Sequence, residues 1–490
     1  MNRSKLASEE STIRISREES PLVVDLDGTL IHTDTLHELT LLLLRHKPYL
    51  VLVIPFWLFS GKAFLKNKLA SIVDIDVSSL PFNNELIDWL KSQKDLGRKL
   101  ILGTATDVSI ARAIANHINL FDEVLASDGK VNLAGKNKAQ VLVEKYGNKG
   151  FDYVGNSSVD LLVWNKSKLG IVVNGSKSLV HQASAVTQIE HVIPKAKNNP
   201  KTWMKVFRVH QWVKNLLIFV PILAAHQILT GPDGHNLLVA FLSFSLCASS
   251  VYITNDLLDL ESDRAHPRKH NRPFASGQMP IWKGVVLAPL LSIASLVMAS
   301  YVGGNFLLWL LLYFALTCAY SWGLKRLVLI DCLTLAILYT LRIVAGAAAV
   351  SMSLSFWLLA FSIFIFLSLA FIKRYAELQD GVGKGAQKAH GRGYYIADAS
   401  LVQQLGVTSG YAATMVLALY LNSENIVKLY RTPEIIWAAV PLILLWISWM
   451  WLNAHRGLMQ DDPIVFAIKD KVSILIGVFF IATFMLASVW

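Results

Sequence analysis

Cysteine is nearly absent. Only Cys247, Cys318 and Cys332 occur in 490 residues, and all three fall inside long apolar runs. That excludes a disulfide framework and gives no thiolate metal site. The N-terminus, MNRSKLASEESTIRISREES, lacks the apolar core of a cleaved secretory signal, so the residues that follow it are expected to stay in the cytoplasm. No second copy of the segment NDLLDLESD appears in the later half, which argues against a transporter built from inverted repeats. The net charge of +11 invites a nucleic-acid partner. There is no soluble surface of interleaved aromatic and basic residues to receive one, and the bases cluster beside apolar runs.

What is present is apolar and unevenly spread. Hydrophobic residues make up 53% of the chain and mean hydropathy is +0.44, too apolar for an ordinary soluble protein. Residues 1–200 read as mixed and soluble. From about Trp212 onward, runs long enough to cross hydrocarbon dominate. Nine are expected: 212–229, 236–257, 283–303, 305–321, 328–350, 355–376, 401–421, 434–453 and 471–490. With the N-terminal part inside, the inner loops 258–283, 322–327, 373–399 and 454–471 hold 15 Lys and Arg, whereas the outer loops hold only Lys428 and Arg431. This asymmetry sets the orientation by the positive-inside rule. The chain is read as a multi-pass protein of a bacterial inner (plasma) membrane, with a soluble head and all its polar motifs on the cytoplasmic side. No feature of the sequence sets an oligomeric state.

One polar motif interrupts the apolar body: VYITNDLLDLESDRAHPRKHNRPFASG, 251–277. Asn255, Asp259 and Asp263 are spaced by four, so on a continuous helix they form one stripe of oxygen donors. Asp256 lies beside them. Hard oxygen donors next to an anionic substrate suit Mg²⁺, and carboxylates at a membrane edge are costly and usually functional. Arg268, Lys269 and Arg272 follow, as a cover for phosphate. The bland alternative is a solvated acidic loop balanced by nearby bases. Further on, Asp331 and Arg342 lie 11 residues apart on one helical face. Arg342 is read either as a ligand for a lipid phosphate or as half of an ion pair with Asp331. Lys325, Arg326, Lys373 and Arg374 gather at the same membrane edge, where cations are also ordinary helix-end anchors.

The segment from about residue 205 to the end resembles the UbiA superfamily of intramembrane prenyltransferases. The likeness rests on NDxxDxxxD followed by a basic stretch, on RVHQWVKN at 208–215 with Lys214 and Asn215, and on YSWGLKRLVLIDCLTLAILYTLRIVAGA at 320–347. That second signature carries a single acid, Asp331, where enzymes acting on aromatic rings commonly carry an acidic motif. With FIKRYAEL it is most similar to the decaprenyl-phosphate phosphoribosyltransferase subfamily. The resemblance implies an all-α domain of about nine transmembrane helices. It implies Mg²⁺ on Asn255, Asp256, Asp259 and Asp263, phosphoribosyl diphosphate as donor, and a polyprenyl phosphate held by Lys214, Asn215, Lys325, Arg326, Arg342, Lys373 or Arg374 as acceptor. Asp259, Asp263 and Asp331 would be the catalytic acids. The alternative is a prenyltransferase joining a polyprenyl diphosphate to an aromatic acceptor.

The head carries its own motif. PLVVDLDGTL, 21–30, ends an apolar strand in Asp25 and Asp27, which alternation puts on one side of the chain. LILGTATD, ending in Thr104 and its neighbours, then Lys138, then YVGNSSVD follow in order. The series resembles the haloacid-dehalogenase (HAD) phosphohydrolases. It implies an α/β Rossmann-like fold with a helical cap, Asp25 as nucleophile, Asp27 as general acid and base, and Mg²⁺ on Asp25, Asp27 and Asn156. Thr104 and Lys138 would neutralise phosphate charge. Asn156 stands where the family usually has a carboxylate, so the head is read either as an active phosphatase or as a module that keeps only the fold. The apolar stretch YLVLVIPFWLFS, 49–60, is expected to form the core of the cap rather than touch the bilayer. The expected layout is a disordered 1–20, a HAD-like domain at 21–180 with its cap at about 32–95, a linker at 181–205 and a transferase domain at 206–490. Together the two parts suggest synthesis of an arabinose donor for the cell envelope. The body would make a lipid-linked 5-phosphoribose and the head would remove the 5-phosphate.

Overall fold

The computed structural model describes residues 20–194, 199–225, 231–382, 392–423, 430–459 and 462–489. The expected disordered N-terminus, Ser20 apart, lies outside them, as does Lys428. Two compact units result. One contains residues up to Val206 together with Ile253–Leu287; the other contains Phe207–Tyr252 and Ala288–Trp490.

The first unit is built on six strands: β1 Leu22–Val24, β2 Leu100–Asp107, β3 Glu123–Ser127, β4 Asp152–Gly155, β5 Leu169–Gly175 and β6 Gln188–Pro194. They lie in the order β3-β2-β1-β4-β5-β6, and every pair is parallel. A parallel sheet needs both faces covered, so its strands are apolar without interruption. Here Leu22, Val24, Leu100, Leu102 and Val154 enter one core. Their chain neighbours Val23, Ile101 and Tyr153 enter the other. Strand β6 corrects the layout, because residues 188–194 pair with β5 where a linker was expected. The sheet thus continues well past residue 180.

Between β1 and β2 the chain forms the cap. Helices Thr35–His46 and Lys62–Ile72 bury Leu39, Leu43, Leu65 and Leu69. The 3₁₀ turn Pro48–Val53 and helix Ile54–Phe59 between them have no fully buried residue. Tyr49, Leu52, Phe56 and Phe59 are all more than two-thirds exposed. The stretch 49–60 is therefore two-sided: Leu50, Val51, Ile54 and Trp57 pack against the core as expected, while the other residues form an apolar surface.

Residues 253–287 pack within this first unit through buried charge. The Arg264 guanidinium lies 2.6 Å from Glu38 Oε1, with side chains only 6% and 4% exposed, and its Nε donates to the Ala275 carbonyl. Thr33 donates to the same Glu38 oxygen at 2.7 Å. Gly277, at φ +73°, sits against His32, and a β-carbon there would collide with it.

The second unit is helical. Among the described residues, eight helices are long and apolar enough to cross a membrane: Gly231–Leu258, Ile281–Val302, Gly304–Trp322, Ile330–Ala349, Phe356–Gly381, Ile396–Leu421, Pro433–His455 and Lys471–Ser488. The first of these ends, and the second begins, within residues 253–287. The ninth expected span exists only if Pro200–Val206 and Val209–Ala224 count as one broken span. Its run 209–219 is 3₁₀, and Pro221 follows. Ile330–Ala349 is the most enclosed helix, with Gly346 set against the backbone of Ile218. Small residues permit such close approach.

Candidate active sites

In the head, chain order puts the motif at one edge. The ends of neighbouring strands β2, β1 and β4 carry Thr104, Asp25 and Asn156, the carboxyl-end position where open α/β sheets bind ligands. Lys138, from helix Gly135–Tyr146, reaches Asp25 Oδ1 at 2.8 Å. The same Nζ meets Tyr153 Oη at 3.0 Å, and Tyr153 donates to Asp160 at 2.8 Å. Asp160 also accepts from the backbone of Asn156 and Ser157. Burial pushes the Asp25 carboxyl up to about 6 against the pull of Lys138. Asp27 is likewise raised by burial and by Asp34. Its carboxylate is aimed by Thr35 N–H at 2.8 Å and the Thr106 hydroxyl at 2.9 Å. Thr104 is fully buried and its hydroxyl accepts from Thr106 N–H. Gly28, at φ +74°, leaves room for the Asn156 amide.

Asp25, Asp27, Lys138 and Asn156 line a cavity of about 740 Å³. Its far wall is not head sequence in the ordinary sense. It is made by Ser276, Gln278, Pro280, Trp282 and Lys283, where helix Ile281–Val302 begins. His32, His37 and Lys66 add basic groups. The oxygen donors of Asp25, Asp27 and Asn156 lining this cavity are chemically suited to Mg²⁺.

At the end of helix Gly231–Leu258, the expected single stripe does not form. The helix stops at Leu258; Asp259 sits at the break, half-buried, and a short helix Leu260–Ala265 follows. The acids brought together are Asp256 and Asp263, seven residues or two turns apart. Both are buried, and both accept from Arg272 Nη1, at 3.1 and 2.5 Å. Burial raises the Asp263 carboxyl despite Arg272. Lys269 Nζ lies 4.0 Å from Asp263; Asn255 is half-buried and Arg268 is exposed. Among the described residues no three His, Cys, Asp or Glu side chains close around a metal by themselves. Two carboxylates converging on a cation still suit Mg²⁺ that takes its other oxygens from diphosphate and water.

In the helical unit a second polar cluster was only half legible. Asp462 accepts from Lys214 at 2.6 Å, lies 3.6 Å from Lys373, and receives the Tyr339 hydroxyl at 3.4 Å. Burial alone would raise its carboxyl, but the two lysines hold it well below the usual carboxylate range. Two cations against one anion leave positive charge for a phosphate. Tyr339 and Asp462 carried little signal in sequence.

Two expected assignments change. Arg342 is 4% exposed and its donors are taken: Nε by Asn215 at 2.9 Å, Nη1 by the Leu338 carbonyl and Nη2 by Tyr313. It does not pair with Asp331. Eleven residues share a face but stand about 16 Å apart along the axis. Asp331 instead pairs with Arg374 at 2.5 Å and accepts from Tyr394 at 2.7 Å. Arg374 also contacts Glu377. Asp331, Arg342, Asn215 and Arg374 are thus committed to internal partners. Lys325 and Arg326 form a short 3₁₀ turn, half-buried and exposed respectively, with the Lys325 carbonyl accepting from Arg392.

Comparison with known proteins agrees with this geometry. The UbiA prenyltransferase family model matches residues 216–468, and the chain belongs to that family. The protein is a multi-pass membrane enzyme. It is 36% identical over 473 residues to the protein y4nM of Sinorhizobium fredii, covering 95% of this chain and 91% of that one. It is 35% identical to the nodulation protein NoeC of Azorhizobium caulinodans, over 56% of this chain and 89% of that one. It is 33% identical to decaprenyl-phosphate phosphoribosyltransferase of Mycolicibacterium smegmatis, again over 56% and 89%. Among solved structures, a UbiA homolog from Archaeoglobus fulgidus bound to GPP and Mg²⁺ aligns over 58% of this chain and 99% of its own, at 14% identity and TM-score 0.45. A HAD family hydrolase from Salmonella enterica aligns over 36% and 68%, at 15% identity and TM-score 0.27.

Proposed function

We propose that the membrane body transfers 5-phosphoribose from phosphoribosyl diphosphate to a polyprenyl phosphate such as decaprenyl phosphate. The observation that carries this is the meeting of Asp256 and Asp263 on one cation at the end of a spanning helix. The names of the mycobacterial relatives point the same way. Mg²⁺, when bound, supplies charge stabilisation to the departing diphosphate. Asp256 and Asp263 would hold it, with Asn255 and Asp259 as further oxygen donors. Arg268, Lys269 and Arg272 cover the remaining phosphate charge. A lipid phosphate oxygen attacks C1 of the ribose as the C1–O bond to diphosphate breaks. The nucleophile is already an anion, so no general base is required. Lys214 and Lys373, which outnumber their shared partner Asp462, suit the acceptor phosphate. The rival reaction on an aromatic acceptor is disfavoured by Asp331, the one acid of the second signature, because Arg374 already binds it.

The head then hydrolyses the 5-phosphate. Asp25 attacks phosphorus as the bond to the ribose 5-oxygen breaks, Asp27 protonates that oxygen to give the hydroxyl, and water, giving its proton to Asp27, releases inorganic phosphate from Asp25. Support comes from the cavity wall at 276–283, which suits a substrate presented at a membrane surface. The basic inner loops favour a cytoplasmic location for the head and both sites, in a bacterial inner membrane. The test is turnover of labelled phosphoribosyl diphosphate with a short polyprenyl phosphate. Asp263→Ala should abolish lipid labelling, and Asp25→Ala should leave labelling intact while 5-phosphorylated lipid accumulates. No lipid-soluble label from wild-type protein would refute the transferase reading.

A further inference from the structure

The apolar surface of the cap demands an occupant. Tyr49, Leu52, Phe56, Leu58 and Phe59 are 67, 78, 69, 48 and 89% exposed. Exposed clusters of this kind mark interaction sites. The charge around them is of one sign. Between residues 39 and 73 there is no Asp or Glu, but there are Arg45, Lys47, Lys62, Lys66 and Lys68.

The position of the cluster is set by its neighbours. Helix Thr35–His46 carries Glu38, paired with Arg264, and Arg45, whose Nη1 lies 3.3 Å from Glu261. Glu261 follows Leu258, the last residue of a spanning helix, by three residues, across the break at Asp259. Two ion pairs two turns apart therefore pin the cap helix along the chain as it leaves the span. The C-terminal end of that helix passes directly into the apolar stretch.

We propose that residues 48–59 form an interfacial anchor that lies in the bilayer surface. The aromatic and aliphatic side chains would sit at the headgroup boundary, and the exposed Lys47, Lys62 and Lys68 would face anionic lipid phosphates. A lipid surface fits better than a second protein because residues 39–73 themselves carry bases and no acid, and Arg45 pairs with Glu261 just past the end of a span. The anchor is independent of whether the head is catalytically active. It ties the cap to the membrane.

The full-length protein in nanodiscs of phosphatidylethanolamine and phosphatidylglycerol provides the test. A nitroxide is placed at Phe59→Cys or Leu52→Cys, and at Lys91→Cys as a water-facing reference, in a Cys318→Ser background. Collisional relaxation by oxygen is compared with relaxation by a water-soluble nickel chelate. The expected result is a several-fold higher oxygen-to-nickel ratio at positions 59 and 52 than at 91. Equal ratios at all three positions overturn the proposal. Spin–spin broadening between copies at position 59 also overturns it, by showing a protein occupant.

Discussion

Arg374 Nε donates to Asp331 Oδ2 at 2.9 Å, and both side chains are wholly excluded from solvent. Nη2 lies 2.5 Å from the same oxygen yet has no well-directed hydrogen bond, so that contact is ionic. Such a pair is costly to break because the buried survivor loses its nearest counter-charge, though Glu377 still contacts Arg374 and Tyr394 still donates to Asp331. Asp331→Ala or Arg374→Ala should lower stability by about 3–5 kcal/mol, whereas Asp331→Leu with Arg374→Met should cost less. Thermal unfolding in detergent reads this. Single variants of unchanged stability but lost transfer would instead place the pair in the reaction.

The acids at the end of helix Gly231–Leu258 should rank by their position. Asp256→Asn and Asp263→Asn should each reduce phosphoribosyl transfer roughly 100-fold or more, the scale of a lost electrostatic group. Both should raise the Mg²⁺ concentration for half-maximal rate. Initial rates across a Mg²⁺ titration check this, and an unchanged Mg²⁺ requirement argues for a structural role.

Lys214 and Lys373 should govern the lipid acceptor. Lys214→Ala should raise KM for polyprenyl phosphate about tenfold, consistent with loss of one charge-assisted hydrogen bond, and leave KM for phosphoribosyl diphosphate near its wild-type value. Separate titration of the two substrates distinguishes them. A rise only in the diphosphate KM would reverse the assignment.

Asn156 offers a gain-of-function test in the head. Asn156→Asp adds a carboxylate beside Asp25, so less Mg²⁺ should be needed for phosphomonoester hydrolysis. Hydrolysis of p-nitrophenyl phosphate across Mg²⁺ concentrations measures it, with Asp25→Asn as the inactive control. An increased Mg²⁺ requirement would show that the amide does not face the metal.

Much of this was readable because the signals are local. Continuous apolar strands ending in Asp25, Thr104 and Gly155 announce a parallel sheet, and long apolar runs announce spans. The misreadings have physical causes. Strand β6 is polar at Gln188, Glu190 and His191 because it is an edge strand with partial exposure, where such residues are at home. Spacing placed Asp331 and Arg342 on one face but is silent about their distance along it. The true partner of Asp331 is 43 residues away in sequence, beyond any local pattern. The stretch 49–60 is apolar on both of its sides, so composition could not tell the residues that pack on the core from those left exposed. Asp259 drew notice by its periodicity, but the helix breaks there.

Arg272 gives the resting motif an internal counter-ion. Two aspartates that would repel one another are kept apart in free energy, though near in space, by a guanidinium of the same chain. A metal held by Asp256 and Asp263 would take the place of that guanidinium. Arg272, once displaced, would be free to pair with phosphate oxygens.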